Sequence, residues 1–353
     1  MPVTWLGSNE RRLMGTYIVR RVSLALLIIF AAIVGTFFLT RLIPSDPAML
    51  WVGRFASSEQ IEKAREQLGL NDAWYVQFVR YVGLLLHGDL GVSTRTHNPV
   101  VRELVTRLPA SMELIIFGMT FGIVLGIVLG CLSAAKPNSS FDHIARFTSV
   151  AGVALPQFWF AMILQLTFGK VLGILPLSGR MDLRLGLYHP VVTRTGFFLF
   201  DSFVSGNWIA FQDALLHLIL PALTLAAYPI GMSARLMRAK MIEVLGEDYT
   251  RTTRAFGIRE TRIFLVYSLR NALGPVVTLT AISFVYTLIG TFLIESIFAW
   301  PGVGSYTAQA ILSNDVPVIL AVTLLVAILT VVLNLIADLI LIALDPRIRG
   351  WEG

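Results

Sequence analysis

Long stretches of this chain carry no charged residue, and the charges gather at their ends. Six such runs stand out: 22–40, 114–135, 147–169, 214–234, 271–294 and 316–337. The last continues to Leu344 with only Asp338 interrupting, so the sixth element is taken as 316–344. A helix needs about 20 apolar residues to cross a hydrocarbon core roughly 30 Å thick. Lipid offers no partner to open backbone groups, so each run is predicted to be a helix. The pattern predicts an all-α, polytopic membrane protein with six transmembrane helices.

One inner segment breaks the pattern. In "EVLGEDYTRTTRAFGIRE", Glu243 to Glu260, seven of eighteen residues are charged. Basic residues place it relative to the membrane. Four precede the first run, two lie at 136–146, eight between Arg235 and Arg270, and two at 347–349; the loop 297–315 has none. By the positive-inside rule the segments 1–21, 235–270 and 345–353 are cytoplasmic, and both termini with them. The segments 41–113, 173–213 and 295–315 are then external. The first run reads as an uncleaved anchor, since it is long enough to span and lacks an A-x-A-like cleavage pattern.

Within the polar segment, Glu247 and Asp248 suit a helix N-terminus, where the helix dipole favours negative charge. Arg251 and Arg254 follow one turn later and are expected to pair with them. Gly257 then permits a sharp turn. The reading is a short helix, a glycine turn, and a second helix entering the membrane. In the external segment 41–113, Ser57 with Gln60 predicts a capping box and Gly69 a stop. Asn71 is expected to cap a further helix holding Trp74, Phe78 and Tyr81. That part is either a small scaffold on the outer face or an amphipathic helix against headgroups.

Gly118, Gly122, Gly126 and Gly130 are spaced by four, hence on one face of the second run. Such a strip lets another backbone approach closely, a helix-packing role. Pro156, Pro221 and Pro229 each remove a donor and are expected to kink their helices. Asn334 and Asp338 form an intramembrane polar pair one turn apart. Asp338 reads as an interhelical contact near the inner end; the alternative is the ion site of a gradient-driven transporter or channel. His217 reads as an interface or packing histidine.

Composition supports membrane residence: 56% of residues are hydrophobic and 14% charged, against about 25% charged in soluble domains. The net charge of +6 does not point to nucleic acid, because the basic residues sit at the ends of apolar runs. There is one cysteine, Cys131, so no internal disulfide. The chain has no P-loop, no H-E-x-x-H, no G-x-S-x-G and no Cys/His metal set. No enzyme activity, cofactor or metal is expected in it.

Taken together, several stretches resemble one family. "EVLGEDYTRTTRAFGIRE" with "SLRNALGPVVT" resembles the cytoplasmic EAA-type loop of ABC importer permeases. "RLIPSDPA", "GDLGVS", "LPQFWFAMIL", "HLILPALTL", "ESIFAWPGVG" and "DPRIRG" follow in the order of the dipeptide/oligopeptide/nickel branch, over essentially the whole chain. The likeness is to the first of its paired permeases. It implies a type I importer fold in a bacterial or archaeal inner membrane. It also implies a second homologous permease subunit, an external solute-binding protein, and two ATPase chains that hold ATP and magnesium. The helix that docks on the ATPases is then Glu247, Asp248, Tyr249, Thr250, Arg251, Thr252, Thr253, Arg254, Ala255 and Phe256, with Gly257 as its turn. Two departures are visible. Phe256 stands where relatives often have a small basic pattern, and Pro275 lies eighteen residues beyond Gly257. The cargo is not legible; relatives carry peptides, nickel, haem, glutathione or sugars.

Overall fold

A glycine seam and a few buried ion pairs organise the helices that the apolar runs predict. The computed structural model describes residues 8–42, 47–53, 56–67 and 69–344. Side chains at 8–19, 40–42, 47, 50–51, 277–278, 280–282, 285–286, 288–289 and 337–344 lie outside this description. Along the chain run α1 (Ser8–Leu42), α2 (Pro47–Val52), α3 (Ser58–Gln67), α4 (Trp74–Leu86) and α5 (Val100–Ala135). Next come α6 (Ser140–Ala154), α7 (Gln157–Leu164, continued as a π-helical turn to Val171), α8 (Leu183–Tyr188), α9 (Phe198–Val204) and α10 (Trp208–Gly246). Then α11 (Asp248–Ala255), α12 (Glu260–Arg262, followed by a π-helical turn to Ser268), α13 (Leu269–Ile297), α14 (Val303–Leu312) and α15 (Val316–Leu344).

All six apolar runs fall within helices, with two differences from expectation. First, α5 and α10 have 36 and 39 residues, so at 1.5 Å per residue they measure about 54 and 58 Å. Both overshoot the hydrocarbon core. The segment 41–113 therefore ends as helix, and 235–270 begins as helix instead of loop.

Second, the run 147–169 is no single rod. It is the pair α6 and α7, bent by 110°. The cause is local: Leu155, before Pro156, takes an extended conformation (φ −72°, ψ 132°), as a following proline favours. Pro221 and Pro229 do not interrupt α10. Pro229 lies against Gly122, where no side chain obstructs it.

The chain divides into two compact units, residues 1–107 with 306–335, and 108–305 with 336–353. In the second, α10 is the central rod. A methyl group added at Gly118, Gly122, Gly126 or Gly130 would lie 2.8, 2.8, 2.7 and 2.6 Å from atoms of α10. The nearest atoms belong to Leu225, Pro229, Ser233 and Ala234. Real Cβ atoms do not come that close, so only glycine allows this α5–α10 distance. On another side of α10, Gly152 of α6 faces the Ala227 carbonyl and Gly231 faces Ser149. Leu114, Ile115, Met119, Leu218, Leu225, Ile294, Phe298 and Trp300 fill the core beside the seam.

Polar staples tie the connecting segments of this unit down. Buried Glu113 accepts from the Arg180 guanidinium and from the Leu199 amide (2.8 Å), fixing the segment between α7 and α10 onto α5. Asp201 accepts from the amides of Arg194, Thr195 and Gly196 and from the Thr195 hydroxyl. Buried Glu295 accepts from Ser111 Oγ at 2.6 Å and from the Ser305 amide at 3.0 Å. His217 Nδ1 lies 2.8 Å from the Asp213 carbonyl, a packing role.

In the first unit, the Ser57 and Gln60 side chains bond reciprocally to each other's amides (2.9 and 3.3 Å), and Gly69 takes φ +63°. Asn71 does not cap the next helix. Its amide donates to Glu62 at 3.2 Å, and α4 starts at Trp74 after an Ala73 N-cap without a side-chain bond. Asp315, at the start of α15, is buried and accepts from Ser93 Oγ (2.5 Å) and from the Thr94 amide (3.1 Å), holding that loop.

Candidate functional site

The site is the short helix α11 and the base that carries it. α10 ends at Gly246, and Glu247 turns the chain with an extended conformation (φ −66°, ψ 152°). Glu247 makes no side-chain cap; the acidic first turn is left to Asp248. Two side chains fix α11 to its neighbours. Thr250, wholly buried, donates to the Val244 carbonyl at 2.8 Å, which closes the end of α10. Tyr249 Oη accepts from Asn271 Nδ2 at 2.9 Å, which ties α11 to the start of α13. Thr252 and Thr253 hydroxyls fold back onto the Asp248 and Tyr249 carbonyls within the helix.

The helix stops in a Schellman motif. The Ile258 amide donates to the Thr253 carbonyl and the Gly257 amide to the Arg254 carbonyl, with Gly257 at φ +74°. That left-handed conformation costs glycine nothing and a residue with a Cβ about 1–2 kcal/mol.

The expected ion pairs form only in part. Arg251 lies 3.6 Å from Asp248, both exposed. Arg254 pairs with neither Glu247 nor Asp248. Its Nε reaches forward to Glu260 Oε1 at 2.7 Å, bridging the glycine turn. The physical reason is the turn itself, which returns the chain beside the last turn of α11. The hydrogen bond to the Glu260 carboxylate raises the Arg254 guanidinium above its usual range. Arg254 therefore keeps its charge at any physiological pH.

Beneath lies an apolar base in which Met237, Met241, Ala134, Ala272 and Val276 are buried, with Cys131, Phe264 and Leu269 against them. A buried ion pair stiffens it. Arg238 of α10 presents Nε and Nη2 to the two oxygens of Asp142 at 2.6 and 2.8 Å. Asp142 is fully buried and also accepts from Ser133 Oγ and from the Asn138 amide at 2.9 Å. Thus the α5–α6 connection is locked to the rod from which α11 hangs. The sequence reading missed this pair; "SSFD" carries a capping signal at Ser139, but nothing in it names Arg238.

What remains on the outer side of α11 is Asp248, Arg251, Thr252, Ala255 and Phe256. Phe256 is 79% exposed, a large apolar side chain that the described residues leave open. The other predicted residues lie elsewhere. The four glycines form the α5–α10 seam, Asn334 is exposed on α15, and the Asp338 side chain lies outside the described residues. No cluster of metal-ligating side chains occurs among the described residues.

Residues 122–350 match the family of the binding-protein-dependent transport system inner membrane component, and residues 14–115 match the N-terminal family of the same membrane components. The chain is 42% identical over 93% of its length to the "Probable D,D-dipeptide transport system permease protein DdpB" of Escherichia coli, covering 95% of that protein. It is 39% identical over 94% of its length to the dipeptide transport system permease protein DppB of Alkalihalophilus pseudofirmus, covering 99% of it. Among solved structures it is similar to the MetNI methionine ABC transporter in inward-facing conformations (16% identity, 70% of this chain, 96% of that one, TM-score 0.46). Nothing in these comparisons supports the reading centred on Asp338. The chain therefore belongs to the binding-protein-dependent transport system inner membrane components: it is a multi-pass permease subunit of an ABC importer, and not a catalytic enzyme.

Proposed function

We propose that this chain forms one half of a path for dipeptides or oligopeptides, with a second, homologous permease subunit as the other half. The names of its relatives support the peptide cargo. In this reading two ATPase chains carry all the ATP and magnesium and grip α11 from the cytoplasm, and an external solute-binding protein delivers the cargo. Both termini of the chain are then in the cytoplasm, and the membrane is the bacterial or archaeal inner one.

The observation that carries the reading is the construction of α11. It is closed by the Gly257 turn, fixed to α10 through Thr250 and to α13 through Tyr249, and presents Phe256 outward. A helix tied to two rods passes a push to both. ATP-driven closure of the ATPases displaces α11, and α10 and α13 tilt with it as rigid bodies, so access to the path alternates. Phe256 fits an apolar socket on the ATPase in place of the polar contact common in this family.

Gly257→Pro tests the reading. Proline cannot adopt φ +74° and has no amide for the Arg254 carbonyl. The expected result is a subunit that stays in the membrane, with ATP hydrolysis no longer linked to uptake in reconstituted vesicles. Full ATP-driven uptake by this variant would overturn the proposal. Purification in mild detergent is expected to bring down a P-loop ATPase and a second six-span subunit.

A further inference from the structure

The external helix α4 has no part in coupling, yet its surface is built for a particular surrounding. Its thirteen residues, WYVQFVRYVGLLL, include one charge, Arg80. The preceding helix α3 is of comparable length and polar, with Glu59, Glu62, Lys63, Arg65 and Glu66. The two differ in what they are made to touch.

Contacts within the first unit orient α4. Trp74 packs on Phe38 (ring centroids 6.2 Å), Phe78 on Phe37 (5.0 Å), and the Tyr81 hydroxyl lies 3.2 Å from Thr36 Oγ1. From Trp74 to Tyr81 is about 10 Å along α4, whereas Thr36 to Phe38 is about 3 Å along α1. So α4 crosses α1 instead of running beside it. It crosses near the end of the apolar run 22–40, where hydrocarbon gives way to headgroups.

At 100° per residue the surface of α4 divides into three sectors. Trp74, Phe78 and Tyr81 face α1. Gln77 and Arg80 lie on another side, where Arg80 pairs with Asp72 at 2.7 Å and Gln77 bonds the Asp72 carbonyl at 2.7 Å. Between them lies an uncovered apolar sector of Tyr75, Val79 and Leu86, exposed by 59, 69 and 82%. On α1, the helix it crosses, Leu26, Leu27, Ile28 and Phe30 are each more than half exposed.

We propose that α4 is an interfacial helix. It lies flat in the headgroup boundary of the outer leaflet, with Tyr75, Val79 and Leu86 toward the acyl chains and Arg80 toward water. Three features select lipid as the occupant. The crossing puts α4 at the edge of a membrane span, the α1 span it crosses exposes large apolar side chains as lipid requires, and Trp74 and Tyr75 are of the types that settle at headgroup level.

The test uses nitroxide labels on the assembled transporter in vesicles of phosphatidylethanolamine and phosphatidylglycerol. Single cysteines replace Val79, Leu86 or Arg80 in a Cys131→Ala background, and oxygen and nickel-chelate accessibilities are compared. At 79 and 86 oxygen is expected to exceed nickel; at 80 nickel is expected to exceed oxygen. The depths at 79 and 86 are expected to be nearly equal, because the helix lies flat. A helix standing along the membrane normal would separate them by about 10 Å. Nickel access at 79 and 86 would place the face in water and overturn the proposal. Exclusion of both probes would show a protein partner on it and overturn it equally.

Discussion

The central rod α10 and the knob α11 follow one another in the chain but are held in opposite ways. α10 is gripped on several sides: by the glycine seam of α5, by Gly152 of α6 and by the Asp142–Arg238 pair. α11 is held by the Thr250 and Tyr249 hydrogen bonds and by an exposed ion clip, and it turns Phe256 and Asp248 outward. On the proposed function, the difference separates transmission from reception. A rod that carries force must not yield along its length, whereas a docking helix needs free surface and only enough fixation to keep its angle. Stability and coupling should therefore be separable by mutation.

The largest expected effect lies in the rod. Asp142→Ala strands Arg238 without its carboxylate and should destabilise the subunit by about 3–5 kcal/mol, read as loss of folded protein on thermal unfolding in detergent. An effect below about 1 kcal/mol would break the contrast at its root. Next is Gly126→Ala, whose new methyl group would meet the Ile230 carbonyl at 2.8 Å. It forces α5 from α10 at a cost of about 1–3 kcal/mol, measured in the same way. In the knob, Thr250→Val removes one buried hydrogen bond and should cost about 1 kcal/mol. Smallest in stability is Phe256→Ala, expected within about 0.5 kcal/mol of the parent. Its effect should appear elsewhere, as weaker retention of the ATPase chains and fewer solutes moved per ATP. If Phe256→Ala unfolds the subunit, or leaves coupling intact, then α11 is not a receiving surface.

The rods and the polar elbow were legible because both are written in local composition. A long charge-free run favours a helix in lipid, and a glycine after a short polar helix favours its closure. Partners across the chain were not legible. Four-residue spacing told that Gly118 to Gly130 share a face, but not that Ala222, Ala226 and Ala234 of α10 fill the space opposite. Asp142 and Arg238 stand 96 positions apart, and no local rule joins them. Arg254 was assigned to the wrong carboxylate because helix spacing knows nothing of a turn that returns Glu260 alongside. The three prolines looked alike, yet only Pro156 breaks its helix; what distinguishes them is the packing around each ring. Asn71 was misread for a similar reason: a nearby carboxylate, Glu62, outcompeted the amides it was expected to cap.

The length of α10 has a mechanical consequence. If lipid covers it as far as residue 234, then residues 235–246 overhang by about 18 Å. A swing of about ten degrees about the inner membrane surface then moves the tip by about 3 Å, with the rod rigid throughout. Shortening the overhang by one whole turn would reduce that stroke by nearly a third, and it would also shift Met237, Arg238 and Met241 out of the base they pack in. Stroke length is thus tied to packing: the segment that sets how far α10 protrudes is the same one that holds the base together.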